Sequence, residues 1–251
     1  MNEVIKLLQT HSSIRKFDAS YVIPEKDLQE IIKASKQAPS WMNGQPYSII
    51  VFNDAKIKED FAVNVVGAHD KAAKNMNSIK ACSVFLLYCI DFYKFTVCGD
   101  FSLSDSAEPL MIASVDIGLA MQNAAVATES LRLGCVCIGG IRNQQAHIIE
   151  ALKLPKFVYP LVGLAIGKPD ENTQVKPRLP DSVNVFYNRY DAAQVQEKDL
   201  QAYNQTMKDF AVQSGYTTED WINKFLEFYT KPHYAKNTDE MLAKHGLIKK
   251  N

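Results

Sequence analysis

Residues 106–133 carry the longest helical pattern in the chain, and that stretch limits the folds open to it. Ala107, Ala113, Gly118, Ala120, Ala124, Ala125 and Ala127 recur along it. Small side chains let a second helix come close, so the segment reads as a central helix suited to a subunit interface. Glu108 and Asp116 fall on roughly one face of it. A capping or interface role suits them better than a paired-carboxylate site. Gly134 follows where a helix commonly ends on a glycine.

Short apolar runs surround this helix. Residues 47–52, 84–90, 135–138 and 160–166 read as strands, the second and fourth as buried ones. Helical spacing marks 3–10, a segment opened by Pro24 and stopped by Pro39, 55–66 and 143–152. A polar stretch, 67–78, separates two of these elements. After Pro180 the character shifts: 194–213 and 221–229 are amphipathic and helical, with no strand signal. Two regions result, a core over 1–190 and a helical extension over 191–251 that packs on the core or on a partner subunit. The strands and helices do not keep the tight βαβ rhythm of a dinucleotide fold. Neither GxGxxG after a strand nor GxxxxGK[ST] occurs.

Length and charge narrow the function. The chain has 251 residues, enough for a full core, with 28 basic against 28 acidic side chains. Balanced charge gives no field for nucleic acid or an acidic membrane, so any anion must be held by local arrangement. No apolar run was expected to reach the roughly 20 residues of a membrane span. The opening residues lack a secretory pattern, and the five cysteines read as reduced thiols, so a cytoplasmic location is expected. Cys135 and Cys137 alone make a poor metal signal. His69, His147, His233 and His245 have no ligand spacing, so no metal site is expected.

Three separated segments suit an anion. His11-Ser12-Ser13-Ile14-Arg15 offers hydroxyls, backbone amides and a guanidinium fork. Lys176-Pro177-Arg178 braces two cations on a proline, and Gly139-Gly140 lets backbone approach a flat ligand. Each alone is equally a solvated loop or a plain turn. Together they suggest one phosphorylated small molecule.

The same segments carry a resemblance. His11, Ser13, Ile14, Arg15 and Phe17 form its first block. Ala120-Met121-Gln122-Asn123-Ala124, then Glu129-Ser130-Leu131 and Leu133-Gly134, form the next. Ile138-Gly139-Gly140-Ile141-Arg142-Asn143, Leu161 to Leu164 with Gly167-Lys168-Pro169, and Lys176-Pro177-Arg178-Leu179-Pro180 complete the order. With these blocks the chain resembles the FMN-dependent nitroreductase family, in its nitroreductase A and flavin reductase P branch.

The resemblance implies an α+β fold, a mixed sheet flanked by helices, in an interlocked homodimer with FMN at the interface. It implies that His11, Ser12, Ser13, Ile14 and Arg15, with Lys176, Pro177 and Arg178, hold the flavin's phosphate and ribityl. Cys137, Ile138, Gly139 and Gly140 would lie against the ring and Ser40 would touch it. Trp41, Met42 and Asn43 would line the acceptor pocket. NADPH or NADH would be the electron donor and FMN would carry the redox step, so no catalytic side chain is expected. The long helix would form the dimer core.

The chain departs from the branch in three places. It has Cys137 where relatives carry an aromatic residue. It has no clear counterpart of a flavin-contacting glutamine, Met76 or Asn77 falling nearest. No arginine cluster appears in 214–221 to take a 2′-phosphate, which leaves the choice of nicotinamide open. Three activities remain: reduction of nitroaromatics, quinones or related acceptors by a ping-pong route; reduction of free flavin; and flavin binding without turnover.

Overall fold

A computed structural model describes residues 2–67, 74–217, 220–231 and 235–249. In chain order the elements are α1 (Glu3–Gln9), α2 (Glu25–Lys36), β1 (Tyr47–Phe52), α3 (Ala55–Asp60), α4 (Lys74–Ala81), β2 (Val84–Asp91) and α5 (Tyr93–Thr96). They continue with α6 (Glu108–Ser130), β3 (Gly134–Ile138), α7 (Gln145–Ala151), β4 (Val158–Gly167), α8 (Asp181–Asn184), α9 (Glu197–Gln213), α10 (Trp221–Thr230) and α11 (Thr238–Lys244). The chain forms two compact units. The first holds Met1–Gln9, Ser13–Asn172 and Ala235–Asn251; the second holds Thr10–Ser12 and Thr173–Tyr234.

The first unit is a four-stranded sheet, ordered β1-β2-β4-β3, with helices on both faces. All three strand pairings are antiparallel, which corrects the expected mixed sheet. Among the described residues no two strands pair in parallel.

β2 is buried along its whole length, as its unbroken apolar run requires. Side chains alternate across a strand, so Val84, Leu86, Tyr88 and Ile90 enter one core and Phe85, Leu87 and Cys89 the other. The register slips between Tyr88 and Cys89, opposite Pro160, which has no N–H to give to a ladder. Gly163 leaves room for the Phe85 ring, which a Cβ there would strike.

α6 spans 23 residues. By length and composition it could cross a membrane, contrary to the expectation that no run here is long enough. One face of it packs into the core. Ala113, Asp116, Ile117, Ala120 and Ala124 form a buried stripe at helical spacing. The Asn123 side-chain amide donates to Ala34 O at 3.1 Å, and Ser35 Oγ donates to Ala120 O at 2.9 Å, which ties α6 to α2. On another face Met111, Val115 and Leu119 are 61%, 60% and 40% exposed.

Gly134 does not cap α6. The left-handed position is Arg132, with φ 60°, and Gly134 opens β3. A glycine is required there because a Cβ would lie 2.5 Å from Ile14 Cγ1. The helix expected from residue 143 begins within a tighter 3-10 segment, Gly139–Gln144, that continues into α7. The helical 55–66 segment is present, its second half wound as a wider turn over Phe61–Val66. The polar stretch 67–78 lies partly outside the described residues and ends within α4.

In the second unit α9 and α10 join around Asp220. Its carboxylate caps α10 by accepting from Asn223 N at 3.0 Å, and it also takes Asn204 Nδ2 and Lys208 Nζ, each at 3.0 Å. These bonds, the backbone one foremost, lower its pKa to about 2.

Candidate functional site

The chain after α1 turns and runs antiparallel beside the sheet. Ile14 N donates to Cys135 O at 2.9 Å, Asp18 N to Lys168 O at 3.0 Å and Asp170 N to Lys16 O at 3.0 Å. Ile14 and Phe17 are buried, whereas Arg15 between them is exposed. The turn is therefore anchored by Ile14 and Phe17 in one core cluster, with Arg15 and Lys16 exposed between them.

The turn's amides serve a partner other than the expected one. Glu171 Oε1 accepts from Arg15 N at 2.5 Å and from Lys16 N at 3.0 Å. A carboxylate of the chain itself thus occupies the two amides expected to supplement Arg15. The Arg15 guanidinium meets the Ser13 carbonyl at 3.3 Å, and Ser78 Oγ donates to Arg15 O at 3.2 Å.

β3 runs beside this turn and ends at Cys137, Ile138, Gly139 and Gly140. Cys137 is the one exposed residue of an otherwise buried strand. A flat apolar group laid on this end of the sheet would cover its thiol. Gly140 keeps a close approach, with Asn75 as the neighbour: a Cβ on Gly140 would collide with the Asn75 side chain. Nothing in the sequence pointed to Asn75, since its place beside Gly140 depends on how α4 packs.

The third part is the loop after α2. Ser40 Oγ donates to Asp116 Oδ2 at 2.5 Å and Trp41 N donates to Asp116 Oδ1 at 3.2 Å. Met42, Asn43 and Gln45 have φ of 47°, 58° and 48°, a region that side-chain-bearing residues seldom adopt. Trp41 and Met42 are 60% and 81% exposed. Burial, with the Asp116 charge second, raises the pKa of the Tyr47 phenol nearby.

The expected residues thus divide between the units. Ser13, Ile14, Arg15, Ser40, Trp41, Met42, Asn43 and Cys137 to Gly140 belong to the first, and His11, Ser12, Lys176, Pro177 and Arg178 to the second. Within the second unit Ser12 Oγ meets Thr173 Oγ1 at 2.6 Å, and Tyr203 donates to Pro177 O at 3.2 Å. Lys176 Nζ lies 6.0 Å from the centre of the Tyr216 ring. Asp116, expected at an interface or as a cap, instead lies inside α6 and accepts bonds from the loop after α2. His69 and His233 lie outside the described residues, and among the described residues no group of His, Cys, Asp or Glu could hold a metal ion.

An exposed arginine on a turn pinned to a buried strand, with a bare thiol at that strand's end, defines an anion-tolerant platform on an α/β scaffold. Comparison with known proteins identifies the scaffold. The nitroreductase family model matches residues 8–168, and the nitroreductase family C-terminal domain model matches residues 176–250. The chain belongs to the nitroreductase family. It is 34% identical to the FMN reductase [NAD(P)H] of Bacillus subtilis, over 98% of each chain. Nitroreductase A from Vibrio parahaemolyticus superposes with a TM-score of 0.87 at 32% identity, covering 100% of both chains. NADPH:FMN oxidoreductase from Vibrio harveyi, solved in complex with NAD+, gives a TM-score of 0.86 at 32% identity, covering 99% of this chain and 100% of that one.

Proposed function

We infer that the protein is an NAD(P)H-dependent FMN oxidoreductase that reduces nitroaromatics, quinones, free flavin or similar flat acceptors. The observation that carries this reading is the pairing of the Ile14–Arg15 turn with β3. It lays an exposed guanidinium beside a strand that ends in Cys137-Ile138-Gly139-Gly140. That donor set suits FMN: a bidentate cation for phosphate, and an uncovered sulfur with small residues for the ring. When bound, FMN supplies the two-electron redox chemistry between nicotinamide and acceptor.

The chain's own residues bind and orient. Arg15 and Ser13 would hold the phosphate end of the flavin. Cys137 to Gly140 would back the ring and Ser40 would touch it, while Trp41, Met42 and Asn43 would line the acceptor pocket. For His11, Ser12, Lys176, Pro177 and Arg178 the assignment rests on the sequence resemblance. Donor and acceptor take turns at one face, which gives ping-pong kinetics. The five cysteines are all free thiols, which suits a reducing cytoplasm.

The purified protein should be yellow and bleach anaerobically with NADH or NADPH, and stopped-flow rates rank the two donors. Turnover with a nitrofuran, a quinone and free FMN ranks the acceptors. The relative named FMN reductase favours the last. Bound FMN should shield Cys137 from iodoacetamide while Cys98, also exposed, stays reactive. Cys82 and Cys89 serve as silent controls, because burial pushes their thiols up to about 11 and about 12. Equal alkylation of Cys137 with and without FMN would remove β3 from the flavin site.

A further inference from the structure

Resting on the reading that the loop after α2 borders the acceptor, we propose that Asp116 is the positioning residue that holds this loop in its binding shape. Asp116 is the only charged side chain between Glu108 and Glu129, and it is 2% exposed. An ionised carboxylate is buried only where hydrogen bonds compensate its lost hydration. Here both oxygens address one short segment. Oδ1 takes the Trp41 amide directly, and Oδ2 takes the Ser40 hydroxyl proton. With its hydrogen donated to Asp116, the Ser40 hydroxyl oxygen accepts from Gln45 N at 2.8 Å. One carboxylate from the middle of α6 therefore grips the start of the loop, and Ser40 relays that hold to Gln45.

The loop needs such a grip. Met42, Asn43 and Gln45 all sit in the left-handed region, and such strain persists only when surrounding contacts over-determine it. The loop's own bonds, Asn43 N to Ser40 O at 3.0 Å and Gly44 N to Trp41 O at 2.9 Å, close the turn without fastening it to the fold. Lys94 adds a bond to Gln45 O at 3.1 Å, but its side chain is 39% exposed and open to water. The fastened loop holds the Trp41 and Met42 side chains out into solvent, where a flat acceptor could meet them. Without Asp116 the loop relaxes, and binding of the acceptor suffers more than the redox step does.

The test uses FMN-loaded protein carrying Asp116→Ala, Asp116→Asn or Trp41→Ala. Asp116→Ala should raise the acceptor KM by about tenfold with kcat nearly unchanged, the pattern of lost binding. Asp116→Asn keeps an acceptor for Trp41 N and should fall between the two. A second readout follows the loop itself: Trp41 fluorescence anisotropy in a Trp221→Phe background, which removes the chain's other tryptophan. Asp116→Ala should lower it. Unchanged anisotropy overturns the positioning role. Lowered anisotropy in Asp116→Ala, with acceptor KM unchanged there and in Trp41→Ala, keeps the positioning role and overturns the acceptor reading instead. If Asp116→Ala fails to fold, Asp116→Asn and Ser40→Ala carry both measurements, and parental values in both overturn the proposal.

Discussion

Gly134 and Asp116 show what a single residue contributes here. Gly134 looked like a helix-ending glycine, yet its φ is unremarkable and its missing side chain is what counts. The Ile14 side chain fills the space a Cβ would take, and that contact presses the Ile14–Arg15 turn onto β3. Gly134→Ala should destabilise the protein by about 1–3 kcal/mol, the usual range for overpacking a core. It should also weaken FMN retention by moving Ile14 and Arg15 together. Denaturant melts and flavin content measure the two effects, and a variant as stable as the parent would place the turn elsewhere. Asp116 was visible in the sequence as one charge inside an apolar helix. Its partners were not, because Ser40 and Trp41 are more than seventy residues away.

At the scale of elements, α10 depends on one cap. Asp220 is held by Asn223 N, Asn204 and Lys208, and these bonds lower its pKa from 3.8 to about 2. A carboxylate with a depressed folded pKa stabilises the fold at pH values above its unfolded value. That contribution is lost as pH falls from near 4 through about 2. The α9–α10 pair should therefore loosen over that acid window, and Asp220→Asn should flatten the response. Circular dichroism against pH distinguishes the two, and identical acid profiles would remove Asp220 as the cause. Strands and most helices were readable from apolar spacing, since that spacing is set by local geometry. Boundaries shifted by a few residues where caps and turns decided, as at Gly139–Gln144.

For the molecule as a whole, α6 poses a question that one chain leaves open. It is a 23-residue apolar helix, only a third of whose most apolar window is buried. Met111, Val115 and Leu119 form an uncovered apolar face at i, i+4 spacing, and α1 adds Val4, Ile5 and Leu8, also exposed. A patch of this kind marks an interaction surface, and we propose that a second copy of the chain covers it. Val115→Glu should shift the protein from dimer to monomer in light scattering and release FMN. An unaltered mass would send the dimer interface elsewhere.

By itself the sequence determined the four strands, the central helix and the family, because these rest on spacing along the chain and on residue blocks in fixed order. It also singled out the Arg15 turn and the Cys137–Gly140 segment, which the structure sets side by side through the Ile14 N to Cys135 O bond. Only the tertiary structure decided that Glu171 fills the turn's amides, that Asn75 stands against Gly140 and that Asp116 ties down the loop. Those contacts join residues far apart in sequence, and their partners are chosen by how helices pack on the sheet, which local patterns do not encode.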